Sequence, residues 1–113
     1  MKTRKEWLEE LPTGWRIAFG DQLADDVIAL AKKYNFENEY VVLQIKEKFG
    51  GLRWYEGHMP HEMFAEHSDL IQKYEKMSYY TCVICGRAAE APQTMFDQPM
   101  CDECKDNLKT KKL

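Results

Sequence analysis

The chain has 113 residues, a formal net charge of −3, 44% hydrophobic and 31% charged residues. This is the composition of one ordinary globular domain, or of a domain plus a small metal-stapled module. The acidic balance excludes a general polyanion binder whose affinity rests on net charge.

The N-terminal stretch, Met1 to Trp7, has no apolar run long enough for a signal peptide, and no segment approaches the ~20 apolar residues of a membrane span. The chain is therefore expected in the cytoplasm, with its thiols reduced. Residues 4–11 suit a short helix that Pro12 ends. Trp7 and Trp15 are large enough to anchor this opening segment on a core.

Gly20-Asp21 opens the next helix, with Asp21 as the expected cap. Leu23, Val27, Leu30, Ala31 and Tyr34 recur at helical spacing and give one apolar stripe. Asp25 and Asp26 near its start and Lys32 and Lys33 at its end match the helix dipole. Asn35 is a left-handed stop.

Residues 40–48 read as a strand, with Val41, Leu43 and Ile45 on an inner face and Gln44, Lys46 and Lys48 on an outer one. Gly50-Gly51 is a hairpin turn that permits positive φ at both central positions. The return strand, 52–56, turns Leu52 and Trp54 inward and Arg53 and Tyr55 outward. After a loop at His58–His61, a helix starts near Pro60. Its stripe comprises Met63, His67, Leu70, Tyr74 and Met77, with Phe64 and Ile71 beside them. His58, His61 and His67 match no metal-ligand spacing and read as loop and helix-face residues.

The four cysteines fall in two pairs, Cys82-Val83-Ile84-Cys85 and Cys101-Asp102-Glu103-Cys104, with fifteen residues between the pairs. A two-residue gap lets one tight turn aim two sulfurs at one ion, and two such pairs complete a tetrahedron. The expected cofactor is one structural zinc ion held by Cys82, Cys85, Cys101 and Cys104. Two disulfides, in any of three pairings, would need an oxidising compartment. A redox Cys-x-x-Cys of thioredoxin type needs a single such motif near a βαβ pattern. Gly86 suits the knuckle turn after the first pair. Residues 87–100 suit an irregular hairpin. A short helix follows the second pair, with Asp102 and Glu103 in its first turn and Lys109 to Lys112 at its end. The fold expected is α+β: a helix–hairpin–helix core over 1–79, then a treble-clef or zinc-ribbon-like module over 80–113.

The run Gln44-Ile45-Lys46-Glu47-Lys48-Phe49-Gly50-Gly51-Leu52-Arg53-Trp54-Tyr55, followed by a helix and the paired cysteines, resembles a family of small bacteriophage and prophage proteins. Those carry a similar Lys-Glu-Lys-Phe-Gly-Gly-Leu-Arg-aromatic hairpin ahead of a paired-cysteine end. The resemblance spans roughly residues 40–104. It implies a phage setting and an accessory role in the infected cell, such as inhibition of a host defence enzyme.

The chain has no phosphate-cradling glycine loop, no Gly-x-Ser-x-Gly and no His-Glu-x-x-His, so no catalytic role and no small-molecule substrate are expected. A closed four-thiolate site leaves a metal no open position for chemistry. Two binding roles remain. Lys46, Lys48, Arg53 and Tyr55 on the outer hairpin face suit a host or phage protein partner. The same basic residues, with Trp54 and Tyr55 to stack bases and the terminal lysines to touch phosphate, suit nucleic acid.

Overall fold

The protein is described by a computed structural model over residues 2–111, with side chains to Leu108. The expected lysines at the chain end, Lys109 to Lys112, therefore lie outside the described side chains. The architecture of the described residues is α+β: two N-terminal helical stretches, a two-stranded antiparallel hairpin, a long helix, and a C-terminal cysteine cluster ending in a helix.

Helix α1 (Arg4–Glu10) starts at a reciprocal cap. The Glu6 amide donates to the Thr3 hydroxyl, and the Glu6 carboxylate accepts from the Thr3 amide, which satisfies two otherwise orphaned donors. Leu11 is extended and Pro12 follows, ending the helix as expected.

The next helix begins earlier than its apolar stripe indicated. Residues 13–33 are continuously helical: α2 (Thr13–Trp15), a π-helical turn (Arg16–Gly20) and α3 (Asp21–Lys33). Gly20 is itself helical, so Asp21 caps nothing; its carboxylate instead pairs with Arg4 of α1 at 3.0 Å. Trp15, Phe19, Leu23, Val27 and Ala31 are buried at a four-residue spacing, with Ala24 beside them. A strict four-residue spacing drifts about 40° per step around an α-helix. The wider π turn absorbs one of those steps and keeps Trp15 on the face of its successors. At the far end Asn35 has φ 54°. The Asn35 amide donates to Lys32 O and the Phe36 amide to Ala31 O, the paired bonds of a Schellman stop.

The hairpin joins β1 (Val42–Lys48) to β2 (Gly51–Glu56), with Ile45 opposite Trp54 and Lys46 opposite Arg53. Two expectations are corrected. Val42 pairs with Glu56 but Gln44 with Tyr55, so Leu43 is the extra residue of a β-bulge. The bulge shifts the alternation by one: Val42 and Ile45 are buried, Val41 is half-buried, and Leu43 is 60% exposed. The turn sits at Phe49-Gly50, whose φ angles are 55° and 86°. Gly51 belongs to β2 and faces the Tyr79 ring, where a Cβ would lie 2.5 Å from the ring carbon Cζ.

Helix α4 (His61–Ser78) buries Met63, His67, Tyr74 and Ser78, with Leu70 and Ile71 partly covered. Phe64 and Met77, placed on the stripe from sequence, are largely exposed. The Ser78 hydroxyl accepts the Leu52 amide at 2.9 Å and so seals the outer edge of β2. Trp7 meets Tyr40 and Trp54 edge to face at 5.9 and 5.5 Å between ring centres. Full burial of an aliphatic side chain such as Leu23, Val27 or Leu52 stabilises by about 1.5–3 kcal/mol. Among the described residues no helix is long and apolar enough to cross a membrane.

Candidate metal centre

The first cysteine pair is built by a knuckle. The Gly86 amide donates to Cys82 O at 3.1 Å and the Cys82 amide to Arg87 O at 2.8 Å, closing the turn on itself. Gly86 has φ 84°, a left-handed conformation that glycine adopts without strain. An isolated bridge joins Thr81 to Ala88. Beyond it, residues 89–101 form a loop, so of the irregular hairpin expected over 87–100 only this single bridge at its start is formed.

The second pair straddles the start of α5 (Asp102–Lys111), and Cys104 lies in its first turn. The Lys105 amide donates to Cys101 O at 3.0 Å. Two contacts tie the halves together. The Val83 amide donates to Pro99 O at 3.0 Å, and Arg87 pairs with Glu103.

These elements bring all four sulfurs within 4.8 Å of one another. Cys85 Sγ and Cys101 Sγ stand 3.6 Å apart. A tetrahedral ion with metal–sulfur bonds of about 2.3 Å needs sulfur–sulfur edges of about 3.8 Å. The cluster has that size, and the four thiols are free. Cys82 and Cys104 are buried, whereas Cys85 and Cys101 reach the surface in part.

Burial and the neighbouring thiols shift the titration of three of these cysteines. Burial raises the Cys82 thiol, but amides of Cys101, Cys85 and Ile84 aimed at its sulfur outweigh this and bring it down to about 6. Burial and the three neighbouring thiols push Cys104 up to about 12. At Cys85 the Arg87 amide favours the thiolate, yet burial and the Cys101 and Cys82 thiols win, and its pKa is raised. Four thiolates this close repel one another, and a divalent cation removes that conflict.

The knuckle is seated on the N-terminal helix. The Gly14 amide donates to Val83 O at 2.7 Å, and the Trp15 indole donates to Thr81 O at 2.9 Å. A Cβ on Gly14 would overlap the Cys82 carbonyl and lie 2.7 Å from the Gly86 nitrogen. Val83 is buried in the main core cluster. In the sequence Gly14 carries no mark of this contact, because a lone glycine does not name the segment that approaches it.

The hairpin also reaches the module. Glu47 accepts the Gly50 amide at 2.7 Å and the Gln98 side chain at 2.8 Å. Gly50 lies against Pro92. Much of the Lys-Glu-Lys-Phe-Gly-Gly string therefore has a structural task at the turn.

On the outer hairpin face, Lys46 stacks over the Tyr55 ring at 5.8 Å and Lys48 over Phe49 at 5.2 Å. Neither lysine forms an ion pair among the described residues. Arg53 differs: it pairs with Glu75 of α4 at 3.3 Å and is half-buried. The face thus brings together Lys46, Lys48 and Tyr55, engaged only in cation–aromatic stacking, and Arg53, engaged in an ion pair. His67 stands apart from these sites. It is buried, with Nε2 2.6 Å from the Tyr40 hydroxyl and Nδ1 3.9 Å from Glu56. No family model, curated protein or solved structure matches this chain.

Proposed function

We propose that this chain is a non-catalytic, zinc-stabilised binding protein that contacts a partner protein through the outer face of its hairpin. The observation that carries this reading is the pair of cation–aromatic stacks, Lys46 on Tyr55 and Lys48 on Phe49, presented on a face that fills no core. Aromatic and cationic groups of this kind are typical anchors of protein interfaces. Zinc is the ion that four cysteine thiolates in a tetrahedron suit best, and its task here is structural because the site is closed.

The hairpin string points to a phage setting, with a host protein as partner and inhibition of a bacterial defence enzyme as one such role. Cytoplasmic thiols would keep the site in its metal-binding form.

The experiment is affinity capture with tagged chain from bacterial lysate, compared with a Lys48→Glu, Tyr55→Ala variant. Arg53 is left intact because its bond to Glu75 serves the fold. Loss of one specific protein with an unchanged thermal midpoint supports the reading. Tight binding of the purified chain to DNA or RNA, falling steeply with salt, would overturn it.

A further inference from the structure

The loop between the cysteine pairs encloses a groove that the chain itself does not fill. Its volume is about 540 Å³, with room for an aromatic side chain. Pro92, Phe96 and Met100 line it, and Glu90, Asp97 and Lys105 stand around it. Phe96 itself is 86% exposed and its neighbour Met95 57%.

This exposure belongs to an ordered loop. The Thr94 hydroxyl donates to the Asp97 carboxylate at 3.0 Å and accepts the Phe96 amide at 3.3 Å. The Asp97 amide donates to Thr94 O at 3.2 Å. The Gln98 bond to Glu47 and the seat of Pro92 against Gly50 fix the loop on the hairpin tip. A loop backbone already fixed in this form loses little further freedom on binding.

One patch therefore carries both a knob, Phe96, and a hole beside it. It also carries both signs of charge. Neither Glu90 nor Lys105 forms an ion pair among the described residues. A partner of one charge sign would match only one of them. A two-fold axis presents the same patch to itself, and a patch that carries both knob and hole and both signs of charge has what such self-pairing requires. We infer that this face pairs with a second copy of the chain. Phe96 of each protomer enters the other's groove, and Lys105 of one faces Glu90 of the other.

Sedimentation velocity on the full metal-loaded chain, from about 10 μM to about 1 mM, tests this. The expected result is a monomer–dimer equilibrium. Phe96→Ala should raise the dimer dissociation constant by about tenfold or more. Glu90→Lys and Lys105→Glu should each weaken the dimer, and the two together should restore it. These positions are exposed, so the variants should keep the parent thermal midpoint. A monomer at every concentration would overturn the inference and leave the groove to another occupant. A dimer indifferent to Phe96→Ala and to both charge changes would overturn it equally.

Discussion

Gly14 and Val83 are joined by a 2.7 Å hydrogen bond from the amide of one to the carbonyl of the other, across 69 positions of sequence. The bond lets the first metal knuckle rest backbone to backbone on the helix after Pro12. A side chain at residue 14 has no place to go, because the Cys82 carbonyl and the Gly86 amide occupy its space.

Gly14→Ala is therefore expected to destabilise the protein by about 2 kcal/mol or more, in the range of overpacking against rigid backbone. Gly20→Ala is the control. The nearest atoms to its Cβ would be side-chain carbons of Leu8, Leu11 and Arg16, at 3.1 Å and beyond. That substitution also gains helix propensity, and its net effect should stay within about 1 kcal/mol. Denaturant midpoints of the two variants check the difference.

Removing one ligand by Cys85→Ser should disorder the knuckle and the loop to Cys101 first. The damage should extend to the start of the N-terminal helix, since Gly14 and Trp15 donate to Val83 and Thr81. Hydrogen exchange should show lost protection at the amides of Gly14, Val83 and Lys105. The amides of α3 and of the hairpin strands should remain protected. A chelator acting on the parent chain should give the same pattern.

Stability should fall on mild acidification, and His67 is one cause. Burial holds its pKa below the ordinary value, against a smaller opposing pull from Glu56. The unfolded chain thus takes up the proton more readily than the folded one. The His67 contribution is fully present above the ordinary value near 6.5 and is lost as pH falls through the lowered folded value. The geometry gives the same sense. The Tyr40 hydroxyl accepts from the Trp54 indole at 2.9 Å and lies 2.6 Å from His67 Nε2, so a proton on that nitrogen sets a second donor against a hydroxyl that already accepts one. Urea midpoints between about pH 7.5 and about pH 5.5 should fall more for the parent than for His67→Gln. Equal slopes would remove His67 from the account.

Substitution of Lys46 or Lys48 by serine should change stability by no more than about 0.5 kcal/mol, since neither pairs with a carboxylate. Arg53→Ser should cost more, because it leaves Glu75 without its partner at 3.3 Å. Thermal melts of the three variants order them.

What could be read from sequence depended on how local each signal was. The cysteine spacing, Gly86 in the knuckle and Asn35 at a helix stop each act within a few residues, and each occupies the place its chemistry indicates. The hairpin was visible but displaced by one residue in two places. A bulge at Leu43 leaves no mark in an apolar run, and Gly50-Gly51 offered two glycines where the turn needed only one of them. The π turn at Arg16–Gly20 was hidden because Trp15, Phe19 and Leu23 stand four apart, a spacing that an uninterrupted α-helix also shows. The seating of Gly14 on the knuckle is a contact between distant segments, and a single glycine does not name its neighbour. Within the α+β outline, the reach of the hairpin tip to Pro92 and Gln98 was likewise beyond local pattern.

The central claim is that Cys82, Cys85, Cys101 and Cys104 form one metal centre that completes the fold. Elemental analysis of protein purified without added metal tests it most directly, with disulfide mapping on the same sample. The account predicts about one zinc per chain and four cysteines free of disulfide bonds. A metal-free protein with an intact fold, or cysteines joined as disulfides, would contradict it.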